Sequence, residues 1–176
     1  MLNLFQKYRR PTENSPRVKR EDFVKFFFEQ PEHAWITQHA QAAAVFHQCL
    51  SLLPSALVTT LLRQPLVFVP SEVFRSEGAH RYQLNNTVVV FPEFQKLLKK
   101  GSREAVAFVA HEIALVLYEL DPTADKDPLM AEVEADKFVC DLGLADELEA
   151  LLLAMDEGAD KRLRLTYLTL KAFGIN

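Results

Sequence analysis

A chain of 176 residues, 49% hydrophobic, with a formal net charge of −4 and a pI near 5.7, is long enough for one domain with a sizeable core. The acidic balance gives no global electrostatic ground for binding nucleic acid. No apolar run is long enough to span a bilayer, and the first residues lack the apolar core of a secretion signal. The expectation is a soluble, cytoplasmic protein with a single domain over 21–176.

Basic residues collect at the start (Lys7, Arg9, Arg10, Arg17, Lys19, Arg20), where Pro11, Asn14, Ser15 and Pro16 interrupt any regular element. Residues 1–20 therefore read as a flexible, solvated arm. Glu21 to Glu29 reads as a short helix with Phe23, Phe26 and Phe27 on one face, plugging the core. Pro31 suits the first turn of a helix running to about Leu53 through Trp35, Ile36, Phe46 and Leu50. Its histidines, His33, His39 and His47, have no spacing suited to a metal and read as surface or satisfied structural residues. Cys49 and Cys140 lie in apolar helical patterns and are expected to be buried thiols.

A helix from Pro54 to Arg63 precedes a change to extended character. Leu66–Val69, His80–Leu84 and Thr87–Phe91 are strand candidates, the last two forming a hairpin at Asn85–Asn86. A short helix over Pro92 to Lys99 follows. Gly101-Ser102 then introduces a long apolar helix, Ser102 to Leu120, with Ser102 as N-cap.

That long helix carries the only His-Glu pair, His111-Glu112. One seam holds Val106, Val109, Ile113, Val116 and Leu117; a second holds Phe108, His111, Glu112, Leu115 and Glu119. A buried ionisable pair needs partners. The nearest pattern is H-E-x-x-H, in which two histidines one turn apart hold zinc and the glutamate polarises the bound water. Here the second histidine is Leu115, which has no electron pair to donate.

After the loop DPTADKD, whose aspartates lack the Gly and Glu of a calcium loop, Asp127-Pro128 marks a helix start. This helix runs to Gly143, with Leu129, Val133, Asp136 and Cys140 down one face and Glu132 beside them. Glu134, Lys137 and Asp141 form its wet side. Glu132 and Asp136, one turn apart beside an apolar stripe, repel unless a cation, a metal or imidazole hydrogen bonds offset their charge. His111 is the obvious partner. Helices over Asp146 to Met155 and Ala159 to Phe173 complete the chain.

His111-Glu112 followed by Glu132-x-x-x-Asp136 within EVEADKF resembles the gluzincin zinc metallopeptidases, most closely the heat-shock-protease and CAAX-endopeptidase family. The resemblance covers about Leu66 to Leu144. It implies an α+β fold, a mainly helical zincin-like domain with a small antiparallel or mixed sheet. It places His111 and Glu132 at zinc-ligand positions, Glu112 at the general base, Leu115 at the second histidine, and Asp136 at the residue that orients a ligand. An edge strand that pairs with peptide would correspond to the hairpin residues Arg81, Gln83, Val88 and Val90.

The departures are the lost histidine and the lack of transmembrane helices. Two ligands do not hold a catalytic zinc, which takes three protein groups and a water. His80 has no spacing that brings it to the metal position, and Glu119 lies about 12 Å along the helix from His111 at a rise of about 1.5 Å per residue. The expectation is a protein without a cofactor, or with zinc only if a replacement ligand exists. It would be an inactive metallopeptidase homologue that binds a peptide or protein in the old cleft or on the edge strand, with no nucleic acid and no membrane span. An active peptidase with an unconventional ligand and a scaffold dimerising through its phenylalanine-rich segment are the alternatives; the oligomeric state is not indicated.

Overall fold

A computed structural model describes residues 19–72, 86–124, 127–155 and 158–172 of the protein. Among them the chain is mainly helical with one small two-stranded sheet, as its periodicities predict. Two compact units divide at Val106 and Ala107, inside one continuous helix.

The first unit opens with α1 (Arg20–Phe28), which starts one residue inside the segment assigned to the arm. Arg20 is held there because its Nη2 donates to the Leu53 carbonyl at 2.8 Å. Phe23 and Phe27, one turn apart, are buried, while Phe26 is half-buried. The stretch 31–53, expected as one helix, is broken into a 3-10 turn (Pro31–His33), α2 (Ala34–Thr37) and α3 (Ala40–Leu52). His39 interrupts it with extended backbone (φ −125°, ψ 104°), and its carbonyl then accepts from the Ala43 amide to start α3.

The reason for the tight turn before α2 is His33, which is fully buried. Its Nδ1 lies 2.6 Å from the Phe27 carbonyl and its Nε2 lies 3.0 Å from the Phe68 amide. A carbonyl can only accept and an amide can only donate, so the proton sits on Nδ1 and the ring is neutral. His33 thus links the end of α1 to the first strand, and its ring packs 3.9 Å from that of Phe27. Burial, opposed by the Phe27 carbonyl and by Glu32, holds this imidazole below the usual histidine range. The unfolded chain therefore binds a proton below about pH 6.5 that the folded chain refuses, and stability falls as the pH drops through that region. We expect the urea midpoint to fall between pH 7 and pH 5, and His33→Gln to flatten that slope; an equal slope in the variant would assign the acid sensitivity to other groups.

α4 (Ser55–Arg63) leads into β1 (Val67–Pro70), which pairs in parallel with β2 (Thr87–Val90), Val67 opposite Thr87 and Pro70 opposite Val90. A parallel pair needs a crossover connection between its strands. The expected strand His80–Leu84, with Arg81 and Gln83 and most of its hairpin, lies outside the described residues; Asn86 does adopt positive φ (65°). Val88 and Val90 point into the core with Phe68. Gln95 closes both strand ends, its Nε2 donating to the carbonyls of Ser71 (2.7 Å) and Val90 (2.9 Å).

Gln95 stands on α5 (Pro92–Lys100), which ends at Gly101 in the left-handed region (φ 70°). A Cβ at Gly101 would lie 3.0 Å from the Cβ of Gln41, so this turn requires glycine on two counts.

α6 (Arg103–Leu120) spans the boundary. From Ala105 to Tyr118 every residue except Glu112 is buried, so both of its predicted seams face packed surroundings. In the second unit it is followed by α7 (Pro128–Asp141), whose start is as expected: Asp127 Oδ1 accepts from the Leu129 amide at 2.9 Å. The buried face of α7 differs from the expected one. Ala135, Asp136, Phe138 and Val139 are buried, whereas Leu129, Val133 and Cys140 are half-buried.

A sharp return follows α7. Gly143 takes φ 79° and the Leu144 amide donates to the Val139 carbonyl at 3.2 Å, turning the chain into α8 (Ala145–Leu153). α7, α8 and α9 (Ala159–Ala172) pack on one another. Lys161 seals the end of α8 by donating to the carbonyls of Leu153 (3.2 Å) and Met155 (2.8 Å).

Cys49 is buried as expected, and burial pushes its thiol far up, whereas Cys140 is only half-buried. Among the described residues no single helix is long and apolar enough to cross a membrane; α3 and α4 reach that length and composition only together, across a 116° bend.

Candidate functional site

His111 on α6 and Glu132 and Asp136 on α7 do converge. His111 Nε2 lies 3.3 Å from Glu132 Oε2 and 3.2 Å from Asp136 Oδ1, and its Nδ1 lies 3.7 Å from Glu112 Oε1. Asp136 is completely buried and His111 nearly so, at 0% and 4% exposure. Glu132 and Glu112 sit nearer the surface. Leu115, one turn beyond His111 on the same helix face, is buried at 2% exposure.

At the centre of the carboxylates stands a residue that no motif announced, Arg164 of α9. Its Nε donates to Asp136 Oδ2 at 2.7 Å and its Nη2 to Asp136 Oδ1 at 2.6 Å, a two-pronged pair. Nη1 lies 2.9 Å from Glu132 Oε2, and Nη2 lies 2.9 Å from His111 Nε2. The signal that could have found it is the stripe Lys161, Arg164 and Leu168 on α9. All three are buried, so two cations lie on a face that closes against other helices. The demand of Glu132 and Asp136 for a cation was legible; which cation met it was not.

The electrostatics follow from the count of charges. Burial and the Arg164 guanidinium both oppose an imidazolium at His111, while Asp136, Glu112 and Glu132 favour it. With three carboxylates facing one guanidinium the carboxylates prevail, and the imidazole is pushed up to about 9. In that state Asp136 Oδ1 accepts from both Nε2 and Nη2. The 2.9 Å between these nitrogens is then a contact of two donors on shared oxygens rather than an N–H···N bond.

Burial pushes the Asp136 carboxyl up, but hydrogen bonds from His111 and Arg164 pull it below the usual range. The folded state thus holds the His111 proton more tightly than the unfolded chain. Its contribution to stability is complete below about pH 6.5 and lost as the pH rises through about 9. We expect the urea midpoint to decline from pH 7 to pH 10, and to decline less in His111→Gln; equal slopes would show that His111 carries no excess proton.

Zinc does not fit this arrangement. Among the described residues no group of three or more His, Cys, Asp or Glu side chains is placed to hold a metal. The guanidinium nitrogens lie among the donors that would have to face it. Of the other candidates, Glu119 is exposed at the far end of α6, and His80 lies outside the described residues. Comparison with protein-family models, with curated proteins and with solved structures found no match to this chain.

Proposed function

We propose that the protein is a metal-free, non-hydrolytic relative of the zincin metallopeptidases that serves as a binding module for a peptide or protein. The observation that carries this reading is Arg164. A guanidinium bonded to Asp136 at 2.6 and 2.7 Å and paired with Glu132 at 2.9 Å meets the charge demand that a catalytic metal would otherwise meet. Leu115 at the second histidine position supports the same conclusion. Glu112 in this reading is a vestige of the general base, kept as part of the charge network around His111.

The recognition element in this reading is β2. The Asn86 and Val90 carbonyls accept from the amides of Val67 in β1 and of Ser71 just after it, both at 2.9 Å, so the alternation of a strand turns the main-chain groups of Thr87 and Val89 toward the opposite edge. Because Val88 and Val90 are buried, pairing there would use backbone rather than these side chains.

Elemental analysis of the purified protein tests the first half. The expected result is no stoichiometric zinc and no cleavage of an unfolded protein substrate in excess zinc. Zinc that vanishes in His111→Ala, with cleavage, would overturn the reading in favour of an active peptidase. Hydrogen exchange tests the second half: a bound peptide is expected to slow the Thr87 and Val89 amides, and binding that leaves them unchanged would remove β2 from the account.

A further inference from the structure

We infer that Arg164 is the built-in cation of a three-donor site and that its guanidinium is what keeps that site closed to metal. The inference rests on the reading above only in taking the unmodified chain to be metal-free; it adds which residue enforces that state.

Three atoms that could ligate a metal surround the guanidinium: His111 Nε2, which would first have to give up its proton, and one oxygen each from Glu132 and Asp136. An imidazole and two carboxylates are donors that zinc accepts. The imidazole nitrogen is 3.3 Å from the Glu132 oxygen and 3.2 Å from the Asp136 oxygen. A tetrahedral shell with bonds of about 2.0–2.1 Å has donor-to-donor edges of about 3.3 Å, which these two spacings match, although with the guanidinium among them the three side chains form no metal site. The guanidinium meets the same three atoms at 2.6 to 2.9 Å.

Occupation by one cation excludes the other. Admitting zinc with Arg164 in place would leave a buried guanidinium beside a dication, stripped of its carboxylates. Arginine cannot escape by losing its proton, so no accessible pH clears the site. Removing the guanidinium leaves the buried Asp136 and the half-buried Glu132 with the proton on His111 as the remaining positive charge, and a divalent ion that displaces that proton from Nε2 would meet both carboxylates.

The test is zinc content by elemental analysis, with cobalt as a spectroscopic probe, on the full chain and on Arg164→Ala. The expected result is no stoichiometric zinc in the unmodified chain and one zinc per chain in Arg164→Ala. Cobalt should give the intense visible absorption of a four-coordinate site, and adding Glu132→Gln should abolish uptake. A folded Arg164→Ala that takes up no more zinc than the unmodified chain overturns the inference and leaves the metal-free reading intact, whereas stoichiometric zinc in the unmodified chain overturns both.

Should Arg164→Ala fail to fold with or without zinc, the triple variant Arg164→Met, Asp136→Asn, Glu132→Gln decides. Neutralising both sides together is expected to restore folding if Arg164 serves as counter-ion, and an unfolded triple variant would show that it serves otherwise.

Discussion

Asp136→Ala is expected to cost about 3–5 kcal/mol of stability, the loss typical of breaking a buried ion pair from one side. Asp136 is fully buried and its two oxygens accept from Arg164 at 2.6 and 2.7 Å, so its removal leaves a guanidinium facing a cavity with Glu132 and the charge of Glu112 to answer it. His111 loses its closest carboxylate in the same step. Asp136→Asn, which keeps an acceptor and the volume but not the charge, should fall between the unmodified chain and the alanine variant.

The pH dependence has a defined sign as well. Because the folded carboxyl titrates below the unfolded one, Asp136 contributes its stability above about pH 4, and the contribution is lost as the pH falls through the depressed folded value. Urea denaturation of the three proteins at pH 7 and pH 3 measures both effects. An alanine variant within about 1 kcal/mol of the unmodified chain at pH 7 would place the pair among ion pairs of surface strength.

The second large effect belongs to the other unit. Phe27→Ala is expected to cost about 3–5 kcal/mol, the range for emptying a buried phenylalanine site. Phe27 is 2% exposed, and its ring lies 5.5 Å from that of Phe46, 6.1 Å from that of Phe68 and 3.9 Å from the His33 imidazole. Those neighbours belong to α3, β1 and the 3-10 turn, so one deletion loosens the contacts of α1 with all three. Phe27→Leu should recover more than half of the loss by refilling volume. Calorimetric melting of both variants checks this; equal losses for alanine and leucine would mean that ring geometry, not volume, carries the energy.

Placed so deep, Phe27 belongs to the core rather than to an exposed aromatic surface. The apolar spacing of Phe23 and Phe27 is enough to assign that role, because burying one helix face follows from periodicity alone. The same holds for α5, for α6 and for the capped start of α7, where Asp127 and Pro128 act on their own first turn.

Local chemistry therefore determined the helices, the small sheet's two described strands, and the presence on α6 and α7 of ionisable groups that need each other. His111, Glu132 and Asp136 were visible as a set because fixed spacings within two helices bring them onto facing positions. What tertiary structure decided were interactions between groups remote in sequence. His33 tightens the start of the run 31–53 into a 3-10 turn because its two ring nitrogens are claimed by Phe27 and by Phe68, and only the folded chain brings that amide within 3.0 Å. The face that α7 buries is the one it packs with α8 and α9 in the second unit, and periodicity within α7 does not contain the position of those helices.

Arg164 is the sharpest case. A charge deficit is a local property that two carboxylates one turn apart announce, but the cation that fills it can come from any element that reaches the place. It came from α9, 28 residues beyond Asp136 and 53 beyond His111, and of the cation, metal or imidazole that the two carboxylates left open it supplied a guanidinium beside the imidazole.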